Sequence, residues 1–148
     1  MKPEVDHVLR SMMQTLLAEV APAVEGDYVR RNVEVIAGLM AAAAEEYDRA
    51  AHVRVEENEA LRQIFRDAAP SVPDAGLRGR LEAAAAGRDA SLRVGDLNVA
   101  NDGLRALLIE LHVLVETRDE GWARRINHAI WNELRESAKR RAISVWPL

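Results

Sequence analysis

The chain contains no cysteine. Disulfides, thiolate metal sites and cysteine nucleophiles are therefore excluded, and a reducing cytoplasm is the expected setting. Aromatic residues are scarce, at 4%. With Ala and Leu abundant, this favours helices packed through aliphatic side chains over a β-sandwich. No apolar run is long enough to span a bilayer. Met1-Lys2-Pro3-Glu4 leads into no apolar stretch with a cleavage site, so no signal peptide and no membrane role are expected. Basic charge is not in excess: the net charge of -4 argues against a general nucleic-acid binder. There is no glycine-rich phosphate loop, no dinucleotide fingerprint and no alternating strand pattern. Ser11, Ser71, Ser91, Ser137 and Ser144 lack a nucleophile-elbow context.

What remains is 49% apolar and 30% charged over 148 residues, the balance of a soluble globular chain that folds as one domain, residues 1–148. Hydrophobic periodicity predicts helices throughout. The first runs from Pro3 to about Ala21, with Val5, Val8, Leu9, Met12, Met13, Leu16, Leu17 and Val20 at helical spacing. Ala21 to Gly26, with Pro22, forms the first turn. The second begins near Asp27, an expected N-cap, and could reach about 40 residues, or roughly 60 Å at 1.5 Å per residue. Its stripe is thinnest between Ala51 and Leu61, where Arg54 and Asn58 intrude, and a kink or break could fall there. Ala69 to Gly76, with Pro70 and Pro73, reads as a loop. Ala75 to Ala86 reads as a short helix carrying Leu77 and Leu81, ended by Gly87-Arg88-Asp89. A fourth helix covers Leu92 or Asp96 to Thr117. It is apolar nearly all round, with Ile109 and Val113 opposite the main stripe, and so is either central to the bundle or part of a subunit interface. A fifth runs from about Asp119 to Ala142 on Trp122, Ile126, Ile130 and Leu134. Val145 to Leu148 is an apolar tail. The expected fold is all-α: an antiparallel helical bundle of about five helices with one long second helix.

Of the possible chemistry, a metal centre has little support. His7, His52, His112 and His128 are present, but a carboxylate-bridged dimetal bundle needs Glu-x-x-His twice, and Glu4-Val5-Asp6-His7 is the single match. Catalytic residues, metal and cofactor are therefore all expected to be absent.

A phrase used twice is more telling. Asn58-Glu59-Ala60-Leu61-Arg62 returns as Asn101-Asp102-Gly103-Leu104-Arg105. Each copy sets an Asn and an Arg one turn apart beside an apolar face. Arg54 lies within the stripe one turn before Asn58, while His112 shares a flank with Asn101 and Arg105. Antiparallel neighbours could bring the two sets together. A guanidinium on an apolar face needs a counter-group. Two readings follow. In one, the partners are internal, with Glu57, Asp102 or Tyr47 as candidates. In the other, Arg54, Asn58, Arg62, Asn101, Arg105 and His112 line a pocket for a carboxylate, phosphate or acyl group. The basic end of the chain (Arg124, Arg125, Arg135, Lys139, Arg140 and Arg141) reads as cations complementing a helix dipole. The tryptophans cluster late. Trp122 suits the core, whereas Trp131 and Trp146, with Ile109 and Val113, suggest a homodimer surface.

Leu16-Leu17-Ala18-Glu19-Val20-Ala21-Pro22-Ala23-Val24-Glu25-Gly26, followed by Tyr28 and Arg31, resembles the opening of a bacterial family of small helical proteins of unknown function. Its members are often encoded beside phosphotransferase-like kinases and acyl-CoA dehydrogenases. The resemblance implies a helical accessory protein near acyl-group metabolism and transfers no catalytic residue. The expectation is a cytoplasmic, homodimeric accessory or protein-interaction module without chemistry of its own. The alternatives are a small-ligand binding protein built on the Arg/Asn cluster and a helical enzyme with His112 as base.

Overall fold

A computed structural model describes residues 2–144; the apolar tail from Val145, with Trp146, lies outside the described residues. The fold is all-α, an antiparallel helical bundle with one long helix and no strand among the described residues. In chain order come α1 (Val5–Thr15), a π-turn (Leu16–Val20), α2 (Ala21–Ala23), α3 (Asp27–Ala68), a 3₁₀ turn (Ala69–Ser71), α4 (Ala75–Ala86), α5 (Val94–Glu116) and α6 (Gly121–Arg141). No helix among the described residues is long and apolar enough to cross a membrane.

The described residues fall into two compact units. One comprises residues 2–50 with residues 142–144; the other is Ala51–Arg141. In the first, Pro22 does not stop the helix where the sequence pattern suggests. The π-turn absorbs it: the Ala21 N–H bonds to the Leu16 carbonyl, and Pro22, which has no N–H to place, follows directly. One more helical turn results, closed by the Val24 N–H on the Val20 carbonyl at 3.1 Å. The reversal then comes at Gly26, whose φ of 96° is open to glycine at little cost. The Gly26 carbonyl accepts from the Arg30 N–H at 3.1 Å, so Gly26 occupies the capping position expected for Asp27, and Asp27 is already helical.

α1 and the first part of α3 lie side by side, with a groove between them lined by Ser11, Met12, Thr15, Leu16 and Met40. Met12 and Met40 stand about equally far from the Gly26 turn, as an antiparallel hairpin requires. Near the other end, Glu45 accepts hydrogen bonds from the Ser144 backbone N–H and hydroxyl and from Arg49. Among the described residues of this unit, the fully buried ones are alanines: Ala21, Ala37, Ala41, Ala44 and Ala50.

The second unit holds the main core. The last part of α3, then α4, α5 and α6 alternate in direction. Arg80 of α4 meets Glu110 of α5, and His112 of α5 meets Asn127 of α6. Phe65, Leu81, Leu97, Leu111, Ile130, Val72 and Val115 are almost wholly buried. Trp122 packs against this core, as its place on the α6 stripe predicts. Pro70 ends α3 in the 3₁₀ turn, and Asp74 then caps α4 by accepting the Leu77 N–H at 2.6 Å. The loop expected over Ala69 to Gly76 is thus a 3₁₀ turn, a short link and the first residues of α4. α5 buries one stripe and leaves Val99, Ile109 and Val113 exposed, so it is not enclosed on all sides.

α3 is one helix of 42 residues, with no break between Ala51 and Leu61. Arg54 and Asn58 do not interrupt it, because both find partners on α5.

Candidate functional site

The two copies of the repeated phrase meet. The Asn101 Nδ2 donates to the Asn58 Oδ1 at 2.9 Å, and one turn earlier the Arg54 Nε donates to the Asn98 Oδ1 at 2.9 Å. Numbers rise together on the two helices, so this part of α3 runs parallel to α5, with α4 as the return element between them. The phrases meet through parallel helices, not through the antiparallel neighbours expected.

From the Asn58–Asn101 pair the polar contacts spread in two directions. Towards the α4–α5 connection, the Asn58 Nδ2 donates to the Asp89 Oδ1 at 3.0 Å and to the Leu97 carbonyl at 3.4 Å. The Arg62 Nη2 donates to that same Asp89 Oδ1 at 2.6 Å, and both side chains of this ion pair are nearly buried. Towards α6, the Arg105 Nε donates to the Asn101 Oδ1 at 2.8 Å, and its Nη2 donates to the Ser137 Oγ at 2.8 Å. The Ser137 hydroxyl donates to the Glu57 Oε1 at 2.6 Å. Arg141 closes the circuit. Its Nε donates to the Glu57 Oε1 at 2.7 Å, and its Nη2 donates to the Glu57 Oε2 and, at 3.2 Å, to the Asn101 Oδ1.

The buried polar residues among those described are Glu57, Asn58, Arg62, Asn101 and Ser137, and every one belongs to this network. Glu57 is wholly buried. Burial alone would raise its pKa. Hydrogen bonds from Arg141 and Ser137, with the charges of Arg141 and Arg105, outweigh that and hold its carboxyl below the usual carboxylate range. On α6, Glu133 goes the other way: burial raises its pKa, and the Arg140 guanidinium only partly compensates.

Of the residues singled out from sequence, Arg54, Asn58, Arg62, Asn101 and Arg105 fall in or beside one connected cluster. His112 does not. It lies seven residues beyond Arg105, about 10 Å along the helix axis. There its Nε2 is 3.0 Å from the Asn127 Oδ1 and 3.3 Å from the Glu116 Oε1, and its ring meets Trp131 edge-on, with centroids 5.4 Å apart. Of the three internal partners considered, Glu57 is the hub. Asp102 is exposed on α5, and Tyr47 is exposed in the other unit.

Three members escape sequence reasoning. Asp89 sits in the short Gly87-Arg88-Asp89 break, where a lone acid looks like an ordinary loop residue. Ser137 continues the buried α6 stripe two turns after Ile130, and that spacing was its one signal. Arg141 is hidden in a basic run that reads as a complement to the helix dipole.

The arrangement ties three helices and a loop together through alternating donors and acceptors. The Arg62–Asp89 pair borders a surface groove of about 280 Å³, also lined by Val55, Glu59, Arg88 and Leu92. Among the described residues, no group of three or more His, Asp or Glu is placed to hold a metal ion. In comparisons with protein-family models, with curated proteins and with solved structures, the chain matches none.

Proposed function

We propose that this protein is a cytoplasmic accessory module that works by protein–protein association, as a homodimer, without chemistry of its own. One observation carries the reading: the fully buried residues described in the helical hairpin are alanines, while many of its large apolar side chains stay in solvent. Val5, Val8, Met12, Val29, Ile36 and Leu39 are each between 38% and 56% exposed. Single exposed apolar residues are ordinary, but so many on one two-helix unit form a surface made to be covered. The polar cluster supports the same reading, since its Arg and Asn groups bond to Asp89, Glu57, Ser137 and one another. The N-terminal resemblance to helical accessory proteins points the same way. The expected measurement is a light-scattering mass of twice the 16.4 kDa chain at micromolar concentration. A monomer there would remove the dimer from the proposal.

A second reading is favoured by the groove that borders the nearly buried Arg62–Asp89 pair, where Arg88 is exposed beside Glu59. In it, the groove takes a carboxylate or phosphate, which raises the melting temperature in a screen of such compounds. No shift with any compound, or a shift unchanged by Arg88→Ala, removes this reading.

A further inference from the structure

The basic end of the chain divides in two. Arg140 and Arg141 are engaged by Glu133 and Glu57. Arg124, Arg125, Arg135 and Lys139 face solvent. Complementing the helix dipole does not account for these four. Only Lys139 among them lies in the last turn of α6, and Arg124 and Arg125 stand near its positive end. Internal pairing does not account for them either. Lys139 meets Glu136 at 2.7 Å, but no carboxylate among the described residues lies within ion-pair distance of Arg124, Arg125 or Arg135. At 100° per residue, Arg124, His128, Trp131, Asn132 and Lys139 fall within about 60° of Arg135 on the α6 surface. All are exposed, and no acid of α6 lies in that arc. Arg125 and Glu136 lie just outside it, at about 80° and about 100°. The whole strip belongs to the Ala51–Arg141 unit.

Trp131 stands at the middle of the strip, about 11 Å from Arg124 and about 12 Å from Lys139 along the axis. Its ring meets His112 edge-on, with centroids 5.4 Å apart, yet it stays 51% exposed. The His112–Asn127 and Arg105–Ser137 contacts set α5 antiparallel to α6, which brings the exposed Ile109 to about the level of Trp131. A fixed, half-exposed indole flanked by cations is the build of a binding hot spot. The occupant it fits is an acidic segment with an apolar side chain at its middle. Trp131 and Ile109 receive the apolar side chain. Arg124 on one side, and Arg135 and Lys139 on the other, receive carboxylates. A nucleic-acid backbone fits less well. So few cations release few counterions, Glu116 and Glu136 border the strip, and the whole chain carries a net charge of -4. An anionic bilayer also fits less well, because α6 keeps Ala123, Ile126 and Ile130 inside.

We propose that the outer face of α6 docks an acidic, amphipathic segment of a partner protein, with Trp131 as the apolar anchor and Arg124, Arg135 and Lys139 as the charge contacts. This rests on the reading of the protein as an association module and adds a partner other than its own copy. The test titrates the full chain into labelled helical peptides of about sixteen residues, the length of the strip at 1.5 Å per residue. Each peptide carries a central leucine and several glutamates at varied positions, and each has a glutamine counterpart. A single-stranded oligothymidylate and phosphatidylserine vesicles are the other probes. Glutamate peptides should bind saturably and more weakly as salt rises, and their glutamine counterparts should bind about tenfold more weakly or not at all. Arg135→Glu combined with Lys139→Glu should weaken binding about tenfold, and Trp131→Ala by a similar factor, with helical circular dichroism unchanged. Binding to the oligothymidylate or the vesicles without binding to any peptide overturns the proposal, as does binding to no probe at all. Peptide binding that survives both the charge reversals and Trp131→Ala overturns it too. Loss of the dimer mass in these variants means that a second copy covers the face, which overturns the proposal and spares the homodimer reading. A monomeric wild type that binds the glutamate peptides removes the homodimer and supports the acidic partner.

Discussion

Glu57 is the residue on which the polar cluster turns. It accepts from Ser137 and Arg141 while wholly buried, so losing its charge leaves the Ser137 hydroxyl without its strongest acceptor and removes the anion between two guanidinium groups. Glu57→Gln is expected to destabilise the Ala51–Arg141 unit by about 2 kcal/mol, within the range for a buried charged hydrogen-bond partner and reduced because Arg141 is partly exposed. Chemical denaturation measures it. The pH dependence has a definite sign. The folded-state pKa of Glu57 is depressed, so its contribution is present above the unfolded value of about 4.3 and is lost as pH falls through the lower folded value. Glu133 opposes this. Its folded pKa is raised, so its protonation as pH falls favours the folded state before Glu57 begins to titrate. Glu57→Gln should therefore flatten the acid limb of the stability profile, and an unchanged acid limb would show that Glu57 does not govern it. Asp89 is the second sensitive point. Removing it from the nearly buried pair with Arg62 strands a buried cation, and Asp89→Ala should cost about 3 kcal/mol in the same assay. A loss under 1 kcal/mol would mean that solvent replaces the carboxylate freely.

The helices themselves were readable from periodicity, and their ends followed the expected punctuation to within a few residues. Where sequence reasoning fell short, the cause was tertiary or depended on a single hydrogen bond. Pro22 looked like a stop, yet the π-turn before it supplies a register in which the missing N–H does no harm. The thin stretch around Arg54 and Asn58 looked like a hinge. It stays helical because α5 presents Asn98 and Asn101 at the matching level, a fact no local pattern contains. That the repeated phrase marks polar groups on apolar faces was legible; that its two asparagines bond to each other depends on the parallel course of α3 and α5. Asp74 is a case where local reading suffices. Its carboxylate caps α4 through the Leu77 N–H, so Asp74→Ala should cost about 1 kcal/mol by denaturant titration. An equal loss in Asp74→Asn would point to charge rather than to the cap.

The molecule distributes its polarity in an uncommon way. The Ala51–Arg141 unit puts charged and amide groups inside and bonds them to one another, while the hairpin unit puts valine, isoleucine, methionine and tyrosine outside. The first arrangement fixes which helices pair; the second is the surface on which the proposed association rests. Of the residues assigned from sequence to a dimer surface, Trp131, Ile109 and Val113 are all more than half exposed. The most direct test separates the two regions in a single measurement, the light-scattering mass of three proteins side by side. The account predicts a dimer for the wild type, a dimer for Glu57→Gln despite its lower stability, and a monomer for Ile36→Glu. A monomeric wild type, or an Ile36→Glu variant that keeps the dimer mass, would contradict it.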